Sequence, residues 1–162
     1  MTHFDFAARL VAACTRRGLT LGTAESCTGG GVAAAITDVA GSSSAFVGGF
    51  VTYTNELKIE LLGVPTEVIE RETEVSHACA RAMAIGTRER LGVTLAVSTT
   101  GYAGPGGGTE RDPVGTVYIG VSTANDCFTE RFSAPRGANR EEVRRAATER
   151  ALELALQAAE LL

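Results

Sequence analysis

The chain has no tryptophan, two histidines and a single lysine among its 162 residues. Each scarcity narrows the chemistry. With only His3 and His77, and with His3 in a terminus expected to fray, a Ser-His-Asp triad or a Cys-His pair is poorly provided for. The four cysteines, Cys14, Cys27, Cys79 and Cys127, stand far apart and form no CxxC pair. A zinc knuckle or dithiol redox centre is therefore not expected, and scattered buried thiols in a reducing cytoplasm are the simpler reading. There is no basic surplus either: 15 basic residues face 19 acidic ones, for a net charge of −4. That argues against a nucleic-acid binder working by bulk phosphate attraction, though not against a small anion held by one local cluster. No apolar run approaches the ~20 residues of a membrane span. The opening Met1-Thr2-His3-Phe4-Asp5 lacks the basic and apolar regions of an export signal, so a cytoplasmic protein without membrane partners is expected.

Of the 15 basic residues only Lys58 is lysine, the rest being arginine. A general bias toward arginine explains this without function. A chemical cause also does: arginine stays charged near neutral pH, whereas lysine can lose its proton when its pKa is pushed down. The composition leaves both readings open.

What is present is an ordinary globular composition, 44% hydrophobic and 21% charged, with 19 glycines. A single α/β domain over 1–162 is expected. Apolar periodicity predicts helices over 4–17, 29–38, 55–63, 77–91 and 139–161, with Pro65 opening a further short one. Strands are predicted over 19–24, 46–53, 93–98, 114–123 and 127–133, the last two as a hairpin around Ala124-Asn125-Asp126. Interleaved helices and strands predict a three-layer α/β/α sandwich with a mixed sheet.

Three segments carry candidate chemistry. In Thr23-Ala-Glu-Ser-Cys-Thr-Gly-Gly-Gly31 a strand runs through a glycine turn into a helix. This places Ser26 near free backbone N–H groups able to stabilise an oxyanion. Ser26 or Thr28 as a plain helix cap is the commoner alternative, and Cys27 is the rival nucleophile. In Tyr53-Thr-Asn-Glu-Leu-Lys58, Asn55 is expected to cap a helix with Lys58 in its first turn. The helix dipole and poor solvation would both lower the pKa of the amine there, enabling it to take a proton from Ser26. Glu25, Glu56 and Glu60 could oppose that shift. Tyr53, at the end of a strand, could orient the amine or shuttle a proton. Taken alone, Lys58 reads as a solvated surface charge and Tyr53 as an edge-of-core aromatic. The third segment, Thr99-Thr-Gly-Tyr-Ala-Gly-Pro-Gly-Gly-Gly-Thr109, is a glycine-rich loop after a buried strand, where an anion-binding nest can form. It lacks the GK[ST] ending of a P-loop. Among Arg136, Arg140, Arg144 and Arg145, Arg140 at the helix start is the candidate to add charge to that site.

Together, Ala24-Glu-Ser-Cys-Thr-Gly-Gly30, Gly41-Ser-Ser-Ser44, Tyr53-Thr-Asn-Glu-Leu-Lys58, Val75-Ser76 with Met83-Ala84, and Thr100-Gly-Tyr-Ala-Gly-Pro-Gly-Gly-Gly108 with Pro113-Val-Gly-Thr-Val117 resemble the CinA C-terminal domain family. Its stand-alone members are nicotinamide mononucleotide deamidases. The resemblance implies hydrolysis of a nicotinamide carboxamide to nicotinate mononucleotide and ammonia. It implies a Ser/Lys mechanism carried here by Ser26 and Lys58, with Tyr53 in the same motif. It further implies a cytoplasmic homodimer with no metal and no organic cofactor. Cys27, Thr28, Gly29 and Gly30 are expected to hold the oxyanion. Gly101, Ala103, Gly104, Gly106, Gly107, Gly108, Thr109 and Arg140 are expected to hold the ribose phosphate of the pyridine mononucleotide. Three positions depart from the family. Thr54 replaces the usual Ser, Tyr102 the usual Ile, and Glu74 a small residue; the last two bear on substrate fit. Some family members carry an N-terminal pyrophosphatase-like domain, and no such activity is expected of these residues. The alternatives are another small amide as substrate, or a binding domain that kept the pocket without the chemistry.

Overall fold

The computed structural model describes residues 1–162. Its elements are α1 (His3–Arg17), β1 (Leu21–Glu25), α2 (Gly31–Thr37), β2 (Phe46–Val51), α3 (Asn55–Leu62), α4 (Thr66–Glu72), α5 (His77–Leu91), β3 (Leu95–Gly101), β4 (Thr116–Thr123), β5 (Cys127–Ser133) and α6 (Arg140–Leu161). Local chemistry sets most of these bounds. Thr2 and Asp5 form a capping box at the start of α1, and Asn139 and Glu142 form another at α6. Ser76 caps α5, and left-handed glycines end α1, α3 and α5 at Gly18, Gly63 and Gly92.

The five strands run in the order β2-β1-β3-β4-β5. β1 pairs in parallel with β2 and β3, while β3/β4 and β4/β5 are antiparallel, so the sheet is mixed. Every residue of β1 is buried, as expected of a central parallel strand covered on both faces. On one face α1, α2 and α6 bury Leu10, Leu21, Ile36, Val97 and Leu152 in the main core. On the other, α3, α4 and α5 close over Ala24, Leu62, Val64, Cys79 and Met83. The expected three-layer α/β/α arrangement is what the structure contains. No helix is long and apolar enough to cross a membrane.

Three local expectations give way. Thr54, not Asn55, caps α3, its hydroxyl accepting from the Leu57 N–H. Lys58 therefore stands at the end of the first turn, with its own N–H already bonded to the Thr54 carbonyl, 3.2 Å away, where the dipole acts less. α2 begins at Gly31 with Gly30 at its cap position, so neither Ser26 nor Thr28 caps it. β3 continues to Gly101 because antiparallel pairing with β4 extends to Val117.

Gly86 of α5 lies directly on the Leu62 backbone at the end of α3. A β-carbon there would fall well inside van der Waals contact with the Leu62 carbonyl oxygen. This absence of a side chain sets the height of α3 above the sheet, and α3 carries Lys58. Gly86→Ala is therefore expected to overpack the α3–α5 seam and cost about 1–3 kcal/mol. Thermal unfolding followed by circular dichroism should read this as a loss of about 5 °C in Tm; an unchanged Tm would show that the seam is slack.

Candidate active site

The parallel strands β2, β1 and β3 end at one edge of the sheet, and the candidate residues gather beyond it, where ligands of open α/β sheets bind. The strand ends are laced together. The Ser26 N–H donates to the Thr99 carbonyl at 3.0 Å, and the Thr52 N–H to the Glu25 carbonyl at 2.9 Å. A cleft of about 380 Å3 opens there, its wall including Ser26, Cys27, Tyr53, Lys58, Glu74, Gly101, Tyr102, Ala103, Gly104, Gly106 and Arg140. That volume suits a ligand of nucleotide size.

Lys58 and Ser26 meet. The Lys58 Nζ lies 3.1 Å from Ser26 Oγ and 3.1 Å from the Thr52 carbonyl oxygen. Lys58 is 1% exposed and Ser26 8% exposed. Lys58 takes part in none of the ion pairs of the chain. Burial penalises its ammonium form and holds its pKa below the usual lysine value, partly opposed by the negative charge available at Cys79, Glu74, Cys27 and Glu56. A neutral amine here can donate to the Thr52 carbonyl and turn its lone pair to the Ser26 hydroxyl. A solvated surface lysine is excluded by this geometry.

Glu25, read from sequence as a possible counter-ion of Lys58, serves elsewhere. Its buried carboxylate accepts from Thr28 Oγ1 at 2.6 Å and from the N–H groups of Gly30, Val32 and Ala33 at 2.8–3.0 Å. It thereby saturates the N-terminus of α2. Across the turn, the Arg144 guanidinium donates to the Cys27 and Thr28 carbonyls at 3.1 and 3.0 Å. The turn that carries Ser26 is gripped from both sides. The Gly29 N–H is likewise spent, on the Ser26 carbonyl. In this turn the N–H groups of Cys27 and Thr28 are the ones left without a partner, and of the two only Cys27 lines the cleft, so the expected oxyanion donors narrow from four residues to one. Thr28, Gly29 and Gly30 do not line the cleft. The Thr28 hydroxyl is committed to Glu25, and Thr99 bonds it from the other side at 2.7 Å.

Tyr53 takes a different partner from the one expected. Its side chain is exposed, and its hydroxyl accepts from Arg140 Nη2 at 3.2 Å. It therefore orients a guanidinium and makes no hydrogen bond to the amine. Arg140 also donates to the Gly104 carbonyl at 2.7 Å, which joins the start of α6 to the glycine loop. Within that loop the N–H groups of Ala103, Gly104, Gly106, Gly107 and Gly108 make no hydrogen bond inside the chain. Gly101, Ala103, Gly104 and Gly106 line the cleft; Gly107, Gly108 and Thr109 do not. Thr109 closes the far end of the loop instead, its N–H donating to the Asp112 carbonyl and its hydroxyl accepting from the Asp112 N–H.

Asp112 anchors that closure and was not singled out in the sequence. Its carboxylate accepts from Tyr118 Oη at 2.8 Å, Arg111 Nε at 2.9 Å and Arg131 Nε at 3.0 Å. Burial pushes this carboxyl up, but the bonds from Tyr118, Arg111 and Arg131 outweigh it and leave the pKa lowered. Among the rival groups, burial pushes the Cys27 thiol up to about 12, so it is a poor source of thiolate. His77 bonds Thr129 and packs edge-on against Tyr118, and His3 lies beside Glu149, both away from the cleft.

The family model of the CinA C-terminal domain matches residues 3–159, and the chain belongs to that family. A CinA-like protein of Synechocystis is 54% identical over 119 residues, covering 73% of this chain and 29% of the relative. One from Citrifermentans bemidjiense is 53% identical over 125 residues, covering 77% and 30%. The chain thus spans about a third of the length of such curated relatives. Among solved structures, competence/damage inducible protein CihA from Agrobacterium tumefaciens matches with a TM-score of 0.93 and 40% identity over 98% of this chain and 95% of its own. A CinA superfamily protein from Klebsiella pneumoniae matches with a TM-score of 0.94 and 31% identity over the whole of both chains.

The lowered pKa of Lys58 makes a prediction about stability. In the window between that lowered value and the unfolded value near 10.5, the unfolded chain binds the extra proton. Stability contributed by this group therefore rises with pH across the window, by up to about 1.4 kcal/mol per pH unit, and is complete above it. Lys58→Met lacks the contribution. The Tm of the wild type relative to Lys58→Met should climb between pH 7 and pH 10; a constant difference would mean that Lys58 is charged in the folded protein.

Proposed function

We propose that the chain is an amidohydrolase that releases ammonia from nicotinamide mononucleotide by a Ser/Lys mechanism. The observation that carries the chemistry is the 3.1 Å approach of Lys58 Nζ to Ser26 Oγ in a cleft where the amine has no counter-ion. A binding domain without chemistry has no use for a buried, unpaired lysine, whose desolvation is costly. The substrate reading rests on the family resemblance, and three features support it: the cleft volume, the Arg140 guanidinium, and the loop amides free to meet a phosphate.

In this mechanism neutral Lys58 takes the Ser26 proton as Oγ attacks the carboxamide carbon. The Cys27 N–H, the one unpartnered amide of the turn that lines the cleft, receives the oxyanion. Lys58 returns the proton to the departing nitrogen, which leaves as ammonia, and water then cleaves the Ser26 ester to free the carboxylate. Arg140 and the loop amides bind the remote phosphate and spend that binding on positioning the carboxamide. Tyr53 holds Arg140 in place. The four free buried thiols support a reducing, cytoplasmic setting for this reaction.

A coupled ammonia assay with nicotinamide mononucleotide tests this. Ser26→Ala and Lys58→Met should each lose about 10³-fold or more in kcat with unchanged circular dichroism, and Cys27→Ala should remain active. Full turnover in either of the first two would contradict the mechanism. Arg140→Ala should retain the chemistry but lose about 10–100-fold in kcat/KM, the value of a charge-assisted contact; an unchanged constant would remove Arg140 from the phosphate site.

A further inference from the structure

Two charged side chains, besides Lys58, belong to the cleft wall: Arg140 and Glu74. The first is satisfied by Gly104 and Tyr53. The second is not. The Glu74 carboxylate makes no hydrogen bond and no ion pair, although the residue is half-buried. The chain nevertheless fixes its backbone firmly. Thr100 Oγ1 donates to the Glu74 carbonyl at 2.7 Å, tying it to the end of β3. The preceding Thr73 is the one non-glycine residue with positive φ, at 73°, a conformation that costs of order 1–3 kcal/mol and persists only where its surroundings impose it. The Thr73 hydroxyl accepts from the Val75 N–H, and the Ser76 hydroxyl donates to the Thr73 carbonyl, so the strained corner is braced on both sides. The negative charge of Glu74 is felt at Lys58 and Tyr102, which line the cleft, and at Cys79 in the core.

A partly desolvated carboxylate held without a partner in a ligand cleft is a cost unless a cation completes it. Lys58 does not do so, because the two form no ion pair. A positive charge on the ligand would complete it. We propose that Glu74 is a specificity-determining residue that reads a delocalised cationic ring, so that the cleft selects amides borne on a positively charged heteroaromatic nucleotide over their uncharged counterparts. This rests on the reading of the site as a nucleotide amidase and goes beyond it, since the chemistry at Ser26 and Lys58 needs no carboxylate at position 74. With Arg140 for the anionic end and Glu74 for the cationic end, the cleft is complementary to a zwitterion. Two oppositely charged fixed groups also set the direction in which such a ligand enters.

The test compares two ligands that differ in ring charge: nicotinamide mononucleotide and its reduced 1,4-dihydro form, which keeps the phosphate, ribose and carboxamide. Binding is measured by calorimetry at pH 8 in a Ser26→Ala background, so that turnover does not interfere, with Glu74 intact, Glu74→Gln and Glu74→Ala. With Glu74 intact the oxidised form should bind about tenfold more tightly than the reduced form, the value of one partly screened charge pair. Both substitutions should erase that preference by weakening the oxidised form while leaving the reduced form within about twofold. Equal weakening of both forms, or no change in their ratio, overturns the proposal; so does failure of both to bind. The same preparations carrying Ser26 are assayed for ammonia. Absence of ring discrimination with Glu74 intact, in a chain that deamidates nicotinamide mononucleotide, would sink this inference alone. A chain that discriminates the rings but releases no ammonia would retain it while contradicting the catalytic reading.

Discussion

An amine without a counter-ion sits in the interior of this protein, and the rest of the site is arranged around it. Lys58 is the only lysine of the chain and is almost fully withdrawn from water. It bonds one hydroxyl and one backbone carbonyl, neither of which supplies the formal negative charge an ammonium requires. Desolvation and the absence of a close carboxylate act in the same direction, toward a neutral group. An arginine could not occupy the position on those terms, since it would remain charged. The single lysine in a chain otherwise furnished with arginine thus has a physical reason.

The fold supplies the placement. Parallel pairing of β1 with β2 and β3 brings Glu25, Val51 and Gly101 to one edge, and the turns that follow inherit that proximity. Ser26 comes from the first, Lys58 from the helix after the second, and the glycine loop from the third. The glycine at position 86 lets α5 lie against the backbone of α3, which lowers Lys58 toward the serine. Glu25 and Arg144 then consume polar groups on opposite sides of the turn that carries Ser26, fixing its backbone.

Much of this was legible in the sequence because it is local. Capping residues, glycine stops and apolar periodicity gave the helices and strands to within a few residues, and the interleaving gave the layers. Ser26 and Lys58 stood out through their residue types and turn chemistry. What escaped depends on side-chain direction or on distant partners. Glu25 adjoins Ser26, and nothing local distinguishes a carboxylate aimed at Lys58 from one aimed at the amides of α2. Thr54 and Asn55 are both good caps, and only the geometry of the turn selects the first. Thr109 closes the glycine-rich segment 99–109 and by sequence belongs with the anion loop. Asp112, held from β4 by Tyr118 and from β5 by Arg131, turns it away. Tyr53 was placed in the right cleft, but its partner Arg140 lies 87 positions along the chain, beyond the reach of any spacing argument.

The protonation state of Lys58 is the premise on which both the geometry and the chemistry turn, and the composition makes it directly observable. Because the chain contains one lysine, feeding lysine labelled at the ε-carbon and ζ-nitrogen yields a single side-chain resonance, whose shift can be followed by NMR from pH 6 to pH 11. The account predicts a midpoint clearly below the ordinary lysine value of 10.5, moving when Ser26 is replaced by alanine. A midpoint at or above 10.5 would mean that the buried group carries its proton throughout the physiological range, and the serine would have no base.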